Sequence, residues 1–240
     1  MKEMTPIAVR ERLALRPTLL VPVGTTEQHG PHLPLGCDTI IVERLADDLS
    51  ARFGVVRAPA LEYGVHAATQ RLPGGAALRR RTLHRVMNEL IESWEHGAAV
   101  REFIVLTAQA SEGHLEALST IRLDAATVTV IDVFDLDLSE VLPDAIGPVH
   151  GGEADTSLLL YLAPELVRME LAQDFAPPPD ATRAGRRWAD RLLAGSPGSI
   201  GFPTRADARK GERLYTFILD RVSRCLHRPE PEGTACAPPA

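Results

Sequence analysis

Cysteine is scarce: only Cys37, Cys225 and Cys236 occur in 240 residues, an odd and widely spaced set. That set forms neither a disulfide framework nor a CxxC zinc knuckle, so a reducing, cytoplasmic setting is expected. Long apolar runs are also missing. Nothing approaches the roughly 20 residues of a membrane-spanning helix, and Met1 to Arg16 alternates charged and apolar residues with no signal-peptide core. There is no excess of basic residues either: 26 Lys and Arg face 32 Asp and Glu, for a formal charge of −6. With no basic stripe, nucleic acid is excluded as an expected partner, and no membrane association is expected. Internal repeats are absent. What the chain does have is 45% hydrophobic residues, enough for a sizeable core in one large α/β domain or two small ones.

Short apolar runs alternate with amphipathic stretches along the chain, which predicts strands exchanging with helices. Strands are expected at Leu19–Val23, Val55–Ala58, Phe103–Thr107 and Thr127–Val133. Helices are expected at 5–15, Thr39–Arg52, Thr82–His96, 113–124, Ala154–Leu162, 182–194 and 206–227. Buried strands between helices imply a mostly parallel central sheet flanked by helices, a three-layer α/β fold. Pro177-Pro178-Pro179 reads as a linker too short to divide domains, so residues 1–227 are expected to form one domain. The Pro-rich tail, 228–240, is expected to be disordered. In such sheets ligands bind at loops after the strands' carboxyl ends. Segments 24–38, 108–116 and 147–155 hold that position.

The first of these loops, Thr25-Thr26-Glu27-Gln28-His29-Gly30-Pro31-His32-Leu33-Pro34-Leu35-Gly36-Cys37-Asp38, carries the most chemistry. Glu27 and His29 are two residues apart and project to one side of an extended segment. Asp38 could fold back toward them across a loop stiffened by Pro31 and Pro34. Two carboxylates and an imidazole suit Zn²⁺, Mn²⁺ or Fe²⁺. Asp38 also directly precedes a predicted helix, where an N-cap is its default role. Glu27 and His29 could be solvated loop residues, and His32 a structural or supporting group. Spacing alone leaves both readings open.

The segment from Val21 to Thr39 resembles the creatininase (creatinine amidohydrolase) signature, P-V-G-S-x-E-Q-H-G-P-H-L-P-L-x-x-D-T. Similarity continues at Leu61-Glu62-Tyr63-Gly64, Leu72-Pro73-Gly74, His150-Gly151-Gly152-Glu153-Ala154-Asp155-Thr156-Ser157 and Gly198-Ser199-Ile200-Gly201-Phe202-Pro203-Thr204. The resemblance implies a three-layer α/β fold and hydrolysis of cyclic or linear amide C–N bonds. It also implies a centre of two divalent metal ions and a homo-oligomer. By position, Glu27 would bind one ion and His29 the other, with Asp38 bridging. His150 would handle protons or contact a small-molecule amide substrate, and His32, Tyr63 and Gln70 are candidate substrate contacts.

Two segments depart from that pattern. The family's N-G-H-G-G-N loop is replaced by Thr107-Ala108-Gln109-Ala110-Ser111-Glu112-Gly113-His114-Leu115-Glu116. Counting from the strand end places Gln109 at the ligand histidine, whereas counting back from Ala117-Leu118 places Ser111 there. His114 is the only nearby histidine and forms an H-x-E pair with Glu116. It is the expected replacement ligand, with Glu116 a candidate catalytic acid or base. The competing reading makes both first-turn helix residues. Near the second departure, Thr69-Gln70 stands where many relatives have Glu-His, which argues against creatinine as the substrate. Glu153 is a candidate metal ligand or supporting carboxylate, although acidic residues are favoured in a helix's first turn regardless. A second functional reading follows from the altered loop: a degenerate member that binds a small molecule or partner without turnover.

Overall fold

The computed structural model describes residues 1–66, 72–142, 150–176 and 195–226. A four-stranded parallel sheet in the order β2-β1-β3-β4 is its frame. The strands are β1 (Thr18–Val23), β2 (Val56–Arg57), β3 (Glu102–Thr107) and β4 (Thr127–Asp132). The helices are α1 (Pro6–Leu15), α2 (Cys37–Phe53), α3 (Arg80–Gly97), α4 (Glu112–Ser119), α5 (Glu153–Leu162) and α6 (Ala208–Leu226).

Alternation along the strands sends side chains to opposite faces. Leu20, Ile104 and Leu106 pack with α2, α5 and α6 in one core. Leu19, Val21, Val23, Phe103 and Val105 pack with Leu83, Met87 and Ile91 of α3 and with Ala117 and Leu118 of α4 in the other. Covering on both faces explains why β1 and β3 are nearly continuous apolar runs. The three-layer α/β arrangement expected from the sequence is present. Helices α5 and α6 pack especially closely, since a Cβ on Gly211 would lie 1.8 Å from the Ser157 carbonyl oxygen.

Element boundaries differ in three informative places. Helix α2 starts at Cys37 with Gly36 at its N-cap, so Asp38 lies inside the first turn and the N-cap reading is corrected. Helix α4 stops at Ser119 instead of running to 124. There the Glu95 carboxylate accepts the backbone N–H groups of Asp124, Ala125 and Ala126, which draws the chain out of the helix and toward β4. Strand β2 is two residues long because Pro59 follows closely, although Leu61 still bridges Val23 in parallel. The expected linker at Pro177–Pro179, helix 182–194 and tail 228–240 lie outside the described residues.

Register puts Val23, Thr107 and Asp132 side by side at the carboxyl edge of the sheet. The loops following β1 and β3 leave from that edge.

Candidate metal centre

The loop after β1 is closed by the Glu27 N–H donating to the Leu35 carbonyl at 2.9 Å. Asp38 is fixed from the side by Thr25, whose hydroxyl donates to Asp38 Oδ2 at 2.5 Å. Glu27, His29 and Asp38 are 3%, 3% and 2% exposed, so all three candidate ligands are removed from bulk water. Close approach of the neighbouring segments depends on glycine. Gly151 has φ 64°, and a Cβ there would stand 2.5 Å from the His29 carbonyl oxygen.

His29 shows what the cluster requires. Its Nδ1 lies 3.1 Å from the Glu27 carbonyl oxygen, which can only accept, so Nδ1 carries a proton. Nε2 then faces Asp38 Oδ1 at 3.2 Å. A neutral ring would set a lone pair against a carboxylate. The pair therefore needs a positive charge between its atoms, either a proton or a metal ion. A backbone carbonyl holding the far N–H is the usual support for a ligating histidine. With no ion, burial works to lower the His29 pKa, but Asp38, Asp155 and Glu27 carry it up to about 10. Asp38 is lowered, since burial is outweighed by His29 and the Thr25 hydroxyl.

Negative groups are concentrated here. Burial raises Asp155 to about 6, opposed by His29 and reinforced by Asp38. Burial, Asp155, Asp38 and Glu27 together push the Cys37 thiol well up. The groups that lower Asp38 are His29, the Thr25 hydroxyl and His150; no Lys or Arg is among its main partners. Ligand atoms of His29, Cys37 and Asp38 all lie within 4.8 Å of one another. Buried carboxylates without a resident Lys or Arg, beside an oriented imidazole, suit a divalent cation.

The loop after β3 resolves the choice between the two ways of counting. Gln109 stands at the cluster, its amide Nε2 donating to Glu27 Oε2. Ser111 instead caps α4 and donates its hydroxyl to the Val65 carbonyl at 2.8 Å. His114 corrects the expectation of a ligand. Its Nδ1 accepts the Val65 N–H at 3.1 Å, so the proton on Nε2 is directed to Thr107 Oγ1 at 3.0 Å. Both ring nitrogens are engaged, leaving no lone pair for an ion. Burial accordingly lowers its pKa to about 4.

The other candidates separate clearly. Glu116 is half exposed and ion-paired with Arg80, outside the cluster. Glu153 is bound by Lys210 Nζ at 2.7 Å, so it is not a group waiting for an ion. Asp155, two residues on, is the α5 acid coupled to His29 and Asp38. The Gly-Gly-Glu-Ala-Asp run contained both acids, and the helical turn selects the second. His32 is buried, with Nε2 2.9 Å from the Thr156 hydroxyl. Its Nδ1 has no hydrogen-bond partner among the described residues. Burial and His29 hold its pKa at about 4. His150 lies over His29 with ring centroids 4.3 Å apart, and its Nε2 accepts the Gln28 amide at 3.1 Å. Burial, then His29, lower its pKa to about 3. Tyr63 is exposed on the loop after β2. Gln70 lies outside the described residues.

A parallel three-layer α/β fold carries, at its carboxyl edge, a buried carboxylate–imidazole cluster that is a possible metal site. The sequence profile described as creatininase, creatinine amidohydrolase, matches residues 2–226, and the chain belongs to that family. It is 30% identical over 233 residues to the mycofactocin precursor peptide peptidase of Mycolicibacterium smegmatis, covering 93% of this chain and 90% of that protein. It is 25% identical over 239 residues to the creatinine amidohydrolase of Pseudomonas putida, covering 89% and 90% respectively. A solved structure described as creatininase Mn superposes with a TM-score of 0.74 at 24% identity, covering 94% of this chain and 96% of that one. These relatives are hydrolases acting on C–N bonds, and this chain is a divergent member of the same enzyme class.

Proposed function

We propose that the protein is a metal-dependent amidohydrolase that cleaves the C–N bond of a small cyclic or linear amide at a centre of two divalent ions. One observation carries the reading: His29, with its Nδ1 proton held by a backbone carbonyl, faces Asp38 at 3.2 Å in a buried, acid-rich site. Glu27, His29 and Asp38 would hold the ions, with Asp38 shared between them. Zn²⁺, Mn²⁺ and Fe²⁺ all suit that donor set. Bound ions would supply Lewis acidity toward a carbonyl oxygen and acidify water.

The chain's own groups do the remaining work. Thr25 fixes the Asp38 carboxylate, and the Glu27 carbonyl fixes the His29 ring. Gln28 is anchored by Gly30 N–H and by the Gly198 carbonyl, so its amide holds His150 Nε2 as an acceptor. His150 is therefore a neutral imidazole with its proton on Nδ1, and its candidate role is contact with the substrate. Tyr63, exposed on its loop, is the candidate substrate contact at the rim, and buried His32 supports α5 through Thr156. A peptide peptidase and a creatinine amidohydrolase among the relatives point to amides of either kind as substrates. A homo-oligomer in a reducing cytoplasm completes the proposal.

Gln109 favours a second reading, because an amide replaces an imidazole beside Glu27: binding at one ion without turnover. Elemental analysis of protein purified without chelators, combined with a panel of lactams, other cyclic amides and short peptides, decides between them. Hydrolysis that chelator abolishes and added metal restores supports the enzyme. One tightly held ion with no product from any panel member supports binding alone. Protein with no metal at all refutes both.

A further inference from the structure

We propose that His66, rather than His114, supplies the imidazole missing from the loop after β3, and completes the second ion site together with Glu27. The inference rests on the metal-centre reading above and adds a ligand from a different loop. Gln109 occupies the place from which that loop would have delivered a histidine, and its amide donates to Glu27 Oε2. The other carboxylate oxygen, Oε1, stands 3.7 Å from His66 Nδ1, and both side chains are almost fully buried at 3% and 4% exposure. That separation exceeds the 2.7–3.2 Å of an ordinary N–H···O bond. It is close to the roughly 3.4 Å between two donors sharing a tetrahedral ion at about 2.1 Å from each.

The surroundings hold His66 in that place. The preceding residue, Val65, is fastened on both sides of its peptide: its N–H donates to His114 Nδ1, and its carbonyl accepts the Ser111 hydroxyl. Gly64 lets this segment press against the same wall, since a Cβ there would lie 2.6 Å from the His114 ring and 2.7 Å from Thr25 Cγ2. His114 and Ser111, at the start of the helix that follows the altered loop, thus present a neighbouring loop's histidine to Glu27. They act as positioning residues. His66 also registers electrically at the cluster, among the groups acting on His150 and His114.

The test counts ions on the full chain. Wild-type protein, His66→Ala and the double variant His66→Ala/Gln109→His are dialysed to equilibrium against Zn²⁺ or Mn²⁺. Metal is then measured by inductively coupled plasma mass spectrometry, with circular dichroism as the check on folding. The expected result is two ions per chain in wild type, one in His66→Ala, and two again in the double variant, because a histidine at 109 restores the lost donor from its own loop. Recovery by the second substitution separates a lost ligand from a damaged fold. Two ions retained in His66→Ala, or a single ion in wild type unaffected by His66→Ala, overturns the inference while leaving the His29–Asp38 site standing. No metal in wild type refutes the metal-centre reading itself.

Discussion

Replacing His114 by Ala separates a structural histidine from a metal ligand. The imidazole is fully buried and joins two loops: it accepts the Val65 N–H and donates to the Thr107 hydroxyl. Thr107 Oγ1 keeps a second partner in the Gln109 N–H, so only the Val65 N–H is left unpaired. An unsatisfied buried donor costs about 1–3 kcal/mol. Removing a buried ring of this size adds roughly 2 kcal/mol of lost packing. The sum is about 4 kcal/mol, which for a chain of this size lowers Tm by roughly 8–16 °C. Calorimetry of the metal-free protein measures the shift, and metal analysis at saturating Zn²⁺ gives the stoichiometry. The expected result is a large fall in Tm with the ion count unchanged. A lost equivalent of metal with Tm unmoved would refute the assignment and return His114 to the role suggested by its place in the sequence.

Thr25→Ala removes the hydroxyl that orients Asp38 and is expected to weaken metal binding about 10–100-fold, read by competition with a chromophoric chelator. Glu116→Ala breaks only a half-exposed ion pair with Arg80; stability within about 0.5 kcal/mol and an unchanged hydrolysis rate are expected. Gly211→Ala drives a methyl group into the Ser157 carbonyl where α5 meets α6, so urea unfolding is expected to show a loss of about 1–3 kcal/mol or more. Acid sensitivity follows from His32 and His114, both lowered from 6.5 to about 4 in the fold. Below pH 6.5 the unfolded chain takes up protons that the folded state refuses. The contribution of these two rings is therefore full above 6.5 and falls toward pH 4, by about 1.4 kcal/mol per pH unit for each ring. A flat urea midpoint over that window would contradict the burial of both rings.

The sheet was legible because β1 and β3 are covered on both faces, and an apolar run between helices has few other uses. The candidate site is most legible in its first loop, where Glu27, His29 and Asp38 sit in one contiguous motif and the fold buries all three. It was less legible wherever tertiary contacts decide. Nothing local distinguishes Glu153 from Asp155; Lys210, far along the chain, occupies the first and leaves the second facing His29. His114 resembles a ligand until the Val65 N–H, from a loop after another strand, takes its lone pair. His66 carries no motif at all, and only the packing of its loop onto α4 brings it to Glu27. The early end of α4 was hidden for the same reason, since it depends on Glu95 of α3 accepting three backbone N–H groups from the loop before β4.

Everything proposed for the site requires that the buried Glu27–His29–Asp38 cluster holds metal. Crystals grown with Zn²⁺, with data collected on both sides of the zinc absorption edge, test it most directly. An anomalous peak is expected within bonding distance, about 2.0–2.2 Å, of both His29 Nε2 and Asp38 Oδ1. Full-length protein that crystallises folded from millimolar Zn²⁺ with no anomalous density between those two atoms would contradict it.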